Sequence, residues 1–358
     1  MNAPRAGARP RPSVVAALGA AALFGLSVPA SKALVAVTDP WLLAGLLYLG
    51  SGASLAAYRL AQYVLFGSHP GEARLGRREW PWLAAAIFSG GVIAPVLLMF
   101  GLSRVTASEG ALLLNLEGVF TAVVAWIVFH EHVDRRIAGG MAAIAAGAMV
   151  LAWNPAEPVR LSGGAVVVAA ACLGWAVDNN LTRKISASDP LQIAALKGLL
   201  AGGVNVGIAV TLGASIPGPS MLAVAALVGL LSYGVSLVLF VRALRDLGAG
   251  RTSAYFSTAP FVGALIGVLV FREPVSVRLG VAAALMMIGL WMHISERHEH
   301  EHLHDALEHE HSHRHDEHHR HDHDASAPPG EPHSHRHAHE RLLHTHSHYP
   351  DIHHRHGH

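Results

Sequence analysis

The sequence predicts an all-α integral membrane protein. Ten transmembrane helices form two inverted five-helix repeats, and a disordered, histidine-rich tail follows. Three observations carry this reading: apolar runs of membrane-crossing length, marks that recur in order along both halves, and a histidine excess confined to the C-terminus. Of the 358 residues, 52% are apolar and only 14% are charged, against about 45–50% and about 25% in average soluble domains. Of the 27 histidines, 23 lie in the last 61 residues. Residues 1–295 hold 20 Lys+Arg and 12 Asp+Glu, whereas 296–358 hold 6 Arg and 13 Asp+Glu. The near-neutral total of +1 therefore joins two unlike parts. One soluble globular domain is excluded. So is a disulfide scaffold, because Cys172 is the only cysteine. The basic residues are scattered rather than massed, which leaves nucleic-acid binding without support.

Apolar runs of about 17–25 residues can cross the hydrocarbon core as helices. The spans fall near 13–36, 41–65, 81–103, 107–129, 137–153, 163–183, 191–212, 221–244, 249–271 and 277–295. Asp39-Pro40, Ser68-His69-Pro70-Gly71, Asn154-Pro155, Asp189-Pro190 and Pro217-Gly218-Pro219 punctuate them. With the N-terminus inside, the inner segments carry 14 Lys+Arg and the outer ones 5. That bias puts both termini, and so the tail, in the cytoplasm of a bacterial-type inner membrane. A cleavable signal is the competing reading of the first span, since small residues at Val28–Ala33 follow arginines and an apolar run. Cleavage would leave nine spans and break the repeat.

Phe24-Gly-Leu-Ser-Val-Pro-Ala-Ser-Lys32 lines up with Trp175-Ala-Val-Asp-Asn-Asn-Leu-Thr-Arg183. Asp39-Pro40 then falls on Asp189-Pro190, and Phe129-His-Glu131 on Phe271-Arg-Glu273. Five spans per copy is odd, so the second copy inserts upside down. Inverted repeats are a transporter architecture, with the substrate site near the midplane between the halves. The segments are thus an N-terminus at 1–12, a first repeat at 13–153, a second at 163–295 and the tail at 296–358. Chance likeness between Ala/Leu-rich spans does not account for the preserved order of the marks.

On these residues the chain resembles the drug/metabolite transporter superfamily, of the EamA type. The resemblance rests on the start ending in Lys32, the fourth span closing at Glu131, Gly139-Gly140…Gly147, and their recurrence as Trp175…Arg183, Phe271-Arg-Glu273 and Gly280…Gly289. It covers residues 13–295. It implies ten-helix carriers, mostly exporters of amino acids, metabolites or drugs, with a cavity largely between spans 3, 4, 8 and 9. Phe24 stands where that family usually has Trp, and Tyr48 near where it often has Arg. The tail is no part of the pattern.

Ionisable groups inside a span are costly and therefore functional candidates. Glu117 lies about halfway through span 4 and shares a helical face with Gly110 and Thr121. It reads as a proton-coupling carboxylate or a ligand for a substrate amine. The plainer alternative is a hydrogen-bonded carboxyl between helices. Trp175, Asp178, Asn179 and Thr182 share a face of span 6. Asp178 is either part of the site or an interfacial partner of Arg183 or Lys184. Lys197, two turns into span 7, needs a carboxylate, with Glu117 and Asp178 as candidates. Tyr255 with Thr252 on span 9, and Ser236 with Ser232 and Tyr233 on span 8, line a cavity or pack helices together.

His-x-His repeats in a polar tract can gather zinc, nickel or copper through neutral imidazoles. The candidate ligands are His300, His302, His304, His309, His311, His313, His315, His335, His337 and His339. No spacing defines one closed site, and a solvated, pH-responsive tail is the bland alternative. The expected function is a secondary transporter of a small metabolite or amino-acid-like solute. The alternatives are a divalent metal or metal-chelate transporter, and a non-transporting metal sensor. The expected partners are the solute, the lipid bilayer and divalent ions at the tail, with a homodimer allowed. No cofactor is required, and no nucleophile–base motif supports an enzyme.

Overall fold

The computed structural model describes residues 12–66, 75–129, 134–153, 161–185, 189–247, 252, 255–294, 299–304, 307–313, 333–339 and 342–347. The helices follow the apolar runs and the punctuation between them. Helix α1 is Pro12–Val35 and α2 is Pro40–Phe66. Helix α3 runs Trp80–Ala86, Ile87–Ile93 and Ala94–Leu102. Helix α4 is Ala107–Leu113 continued by Leu116–Phe129. Then come α5 (Arg135–Ala152), α6 (Gly163–Arg183) and α7 (Pro190–Thr211). Helix α8 runs Pro219–Val228, Gly229–Val235 and Ser236–Leu247. Helices α9 (Ala259–Phe271) and α10 (Val277–Ile294) complete the set. The first eight are long and apolar enough to cross a membrane, and the last two are shorter apolar helices.

The matched Asp-Pro dipeptides do the same job in both halves. The Asp39 carboxylate accepts the Leu42 amide (3.0 Å), and that of Asp189 accepts the Leu191 (2.9 Å) and Gln192 (3.2 Å) amides. Each caps a helix whose first residue is a proline, a position that needs no amide hydrogen.

Packing repeats as the sequence does. Helix α1 packs on α8 and α9, and α6 on α3 and α4, while α2 pairs with α7 and α5 with α10. Exchanging each helix with the one five places on leaves these pairings unchanged. Small residues allow the close approaches: a Cβ on Gly198 would meet the Gly52 backbone at 2.7 Å, and one on Gly263 the Gly25 carbonyl at 2.7 Å. The outward faces carry Trp126, Ile127, Leu265, Leu269 and Trp291, all exposed. An apolar exterior around a packed helical core is what a bilayer stabilises, and this is a multi-pass membrane protein.

One expectation is corrected. The ninth run, expected as one span from 249, has its continuous helix only from Ala259, with Ser257 and Thr258 in a turn. Pro260 lies in the first turn of that helix, where no amide hydrogen is needed. The described residues of the tail form four short strands. Strand β1 (Glu299–His304) pairs antiparallel with β4 (Leu342–Ser347), and β2 (Leu307–His313) with β3 (His333–His339). Alternation of histidine with other residues has the strand's period of two, not the helix's 3.6. Glu131 with its flanking histidines, and His315, lie outside the described residues.

Candidate functional site

The site begins with two irregular helical turns. Residues Ile87–Ile93 of α3 and Gly229–Val235 of α8 are π-helical. Widening the turn shifts the backbone ladder and turns carbonyls away from it. The Gly90 carbonyl accepts from Trp175 Nε1 (2.9 Å) and the Tyr48 hydroxyl (3.0 Å), and the Gly91 carbonyl from Asn205 Nδ2 (3.1 Å). In the other half, Tyr233 sits within the π turn and meets Phe24 edge-on, with ring centroids 5.9 Å apart. The two aromatic residues that open the repeated motif, Phe24 and Trp175, therefore each contact the π turn of the opposite half.

Beside Trp175 lies a polar group built mainly by α6. Lys197 Nζ donates to Asp178 Oδ1 and Oδ2 at 2.6 and 2.7 Å, and to Thr182 Oγ1 at 3.3 Å. The Thr182 hydroxyl also donates to Asp178 (2.9 Å). Asp178 is 5% exposed, so this pair is held inside the bundle. Of the two carboxylates open to Lys197, the structure selects Asp178. Gly90 makes room for it: a Cβ there would collide with the Asp178 carboxylate.

Glu117 stands just past the Leu114-Asn115 turn that interrupts α4. Backbone bonds of the i to i+3 type tighten that turn, from the Asn115 amide to the Leu112 carbonyl (3.1 Å) and from the Glu117 amide to that of Leu114 (3.0 Å). Helix α9 is preceded by an equivalent turn, with the Thr258 amide on the Tyr255 carbonyl (3.2 Å). The Glu117 carboxylate accepts from Asn179 Nδ2 (2.9 Å), which also reaches Thr121 Oγ1 (3.4 Å). Asn180 Nδ2 ties the Thr121 carbonyl (3.1 Å) to α6. Asp178 and Lys197 lie near enough to act on Glu117 through space. Glu117 is half-buried and Asn179 is exposed.

Aromatic rings from several helices form a series. Trp175 Nε1 lies 3.3 Å from the Tyr48 hydroxyl. Tyr48 stacks near Tyr233 (6.0 Å), Phe24 near Phe256 (5.2 Å), and Phe256 near Phe240 (4.9 Å). None of these six rings is fully buried.

The remaining predicted residues lie elsewhere. Ser236 is buried and donates to the Ala20 carbonyl (2.8 Å), which fastens α8 to α1. Tyr255 is half-buried and its carbonyl accepts the Thr258 hydroxyl (2.6 Å). At one end of the bundle, Glu273 accepts the Ala107 and Ser108 amides (2.7 and 2.9 Å), capping α4 from the other half. There Arg278 pairs with Glu109 and donates to the Trp153 carbonyl (2.7 Å), and Lys32 donates to that of Leu102 (2.6 Å). Among the described side chains, no three His, Cys, Asp or Glu gather as a metal site. The tail's imidazoles lie outside that set.

The EamA-like transporter family model matches residues 11–153 and again 162–295. The chain belongs to the EamA-like transporter family. This EamA-like chain is 28% identical over 291 residues to an uncharacterized transporter of Methanothermobacter thermautotrophicus, covering 78% of this chain and 84% of that one. It is 36% identical over 110 residues to the probable 4-amino-4-deoxy-L-arabinose-phosphoundecaprenol flippase subunit ArnE of Pseudomonas aeruginosa, covering 31% of this chain and 92% of ArnE. A solved crystal structure superposes with a TM-score of 0.57 at 17% identity, over 78% of this chain and 96% of that one, and shares the fold.

Within this EamA-like fold, sequence reasoning had no means of finding the Gly90 and Gly91 carbonyls or the ring series. The Gly-Gly pair inside a span was the available signal. Phe24 stood out in the sequence as the start of the repeated motif, and Tyr48 only as a departure from the family pattern.

Proposed function

We propose that this EamA-like protein is a secondary transporter that exports a small metabolite or amino-acid-like solute by alternating access. In this reading ten helices cross the inner membrane as two inverted repeats, with both termini cytoplasmic. The single observation that carries it is the reciprocal contact of Phe24 and Trp175 with the π turns of Gly229–Val235 and Ile87–Ile93. A site seated on irregular turns shared by both halves changes shape when one half rocks against the other. The two family matches and the exchange symmetry of helix packing support the repeat.

Glu117 is the coupling carboxylate in this mechanism. It lies just past a break of α4, and the one hydrogen bond to its carboxylate among the described residues comes from a neutral amide. A carboxyl there can take up a proton on one side of the membrane and release it on the other. The tail gathers divalent metal on the cytoplasmic side through its His-x-His repeats. The test is flux of labelled metabolites in proteoliposomes under an imposed pH gradient. Wild type moves solute with the gradient, and Glu117→Gln loses the pH dependence. Normal, pH-dependent flux by Glu117→Gln overturns the role given to this residue.

A further inference from the structure

We infer that the tail binds a divalent transition-metal ion across its strands, between the facing pairs His309–His337 and His311–His335. The inference rests on the metal-gathering reading of the tail and specifies how a site closes. Spacing along the chain offers only local His-x-His chelation, which closes no four-ligand site. Strand register supplies the missing half. In the β2–β3 ribbon, His309 faces His337, His311 faces His335 and His313 faces His333. In β1–β4, His300 faces His346 and His302 faces His344. These pairs obey the strand's period of two, so each ribbon carries its paired histidines on one face.

The intervening positions support the register. Glu310 faces Arg336, and Leu303 faces Leu343. Opposite charges and apolar residues set directly across from each other stabilise a ribbon. A slip of one residue would separate every histidine pair. Spacing suits an ion as well. Facing residues lie about 4.5–5.5 Å apart, and residues i and i+2 about 6.8 Å. Two adjacent pairs thus put four histidine positions at the corners of a small rectangle, the ligand number of a closed site. Neutral imidazole suits zinc, nickel and copper. A two-stranded ribbon is marginal in water by itself, and an ion joining its strands stabilises it. The register also sorts the histidines. His304 faces Leu342 and His339 faces Leu307, although each belongs to a His-x-His repeat.

The test is zinc titration of the purified full-length protein in detergent, made without a histidine tag, against a competing chelating dye at neutral pH. Wild type binds zinc. His311→Gln with His335→Gln weakens the tight binding by about tenfold or more, whereas His304→Gln with His339→Gln, which removes as many histidines, changes it by less than about twofold. Zinc also slows amide exchange in β2. That protection disappears when β3 carries His333→Gln, His335→Gln and His337→Gln, although the β2 histidines are intact. Equal losses in the two double variants, or protection of β2 that survives the β3 changes, overturns the inference and leaves a locally chelating tail. Failure of wild type to bind zinc overturns both the inference and the metal-gathering reading.

Discussion

Lys197 and Asp178 form a closed pair inside the bundle, with one ammonium on both carboxylate oxygens at 2.6 and 2.7 Å. The pair links α7 to α6 and leaves Glu117, on α4, without a cationic partner among the described residues. One contact thus braces two helices.

Removing only one member of that pair strands the other. Lys197→Met leaves Asp178 buried and uncompensated, which costs about 3–5 kcal/mol. Thermal unfolding in detergent should show a marked fall for Lys197→Met and substantial recovery for Lys197→Met with Asp178→Asn. Equal loss in the single and double variants would exclude the pairing as the cause.

Two glycines on neighbouring helices separate a site effect from a helix effect. Gly90→Ala drives a methyl into the Asp178 carboxylate, whereas a Cβ on Gly118 meets nothing within 4 Å. Gly90→Ala should lower the melting temperature and reduce flux. Gly118→Ala should be neutral or stabilising by up to about 1 kcal/mol, since alanine is the better helix former. The two melting curves, run side by side, check this.

Glu273 caps the start of α4 from the other half of the molecule. Glu273→Gln keeps the shape but replaces a charged acceptor pair with one neutral oxygen at a helix N-terminus. The expected loss is about 1 kcal/mol. It should be read as a lower melting temperature, with hydrogen exchange quickened at Ala107 and Ser108. Unchanged exchange at those two amides would contradict the capping role.

The tail and the helical body should separate functionally. A chain ending at Ser295 is expected to keep its melting temperature and metabolite flux while losing zinc or nickel retention on dialysis. Retention that survives the truncation would move the metal ligands into the body.

Much of the helix layout was legible because a bilayer leaves a strong imprint on sequence. Asp39-Pro40 and Asp189-Pro190 marked helix starts, since a capping carboxylate followed by proline has few other uses. The span from 249 to 271 was misjudged because hydropathy does not register a tight turn, although Pro260 offered the warning. Within the site, Glu117, Asp178, Asn179 and Lys197 stood out as polar groups at membrane depth, where each is costly.

By itself, the sequence determined the membrane character, the order of the helices, the repeat and the short set of polar residues inside it. Composition and spacing encode these, because each depends on a residue and its near neighbours. Only the tertiary structure decided which carboxylate Lys197 joins, that Gly90 offers its carbonyl to Trp175 and Tyr48, and that rings from both halves form one series. Those contacts join residues far apart in the chain. They are set by how closely small residues let the helices approach and by where a helix widens or breaks, and neither is written in local periodicity.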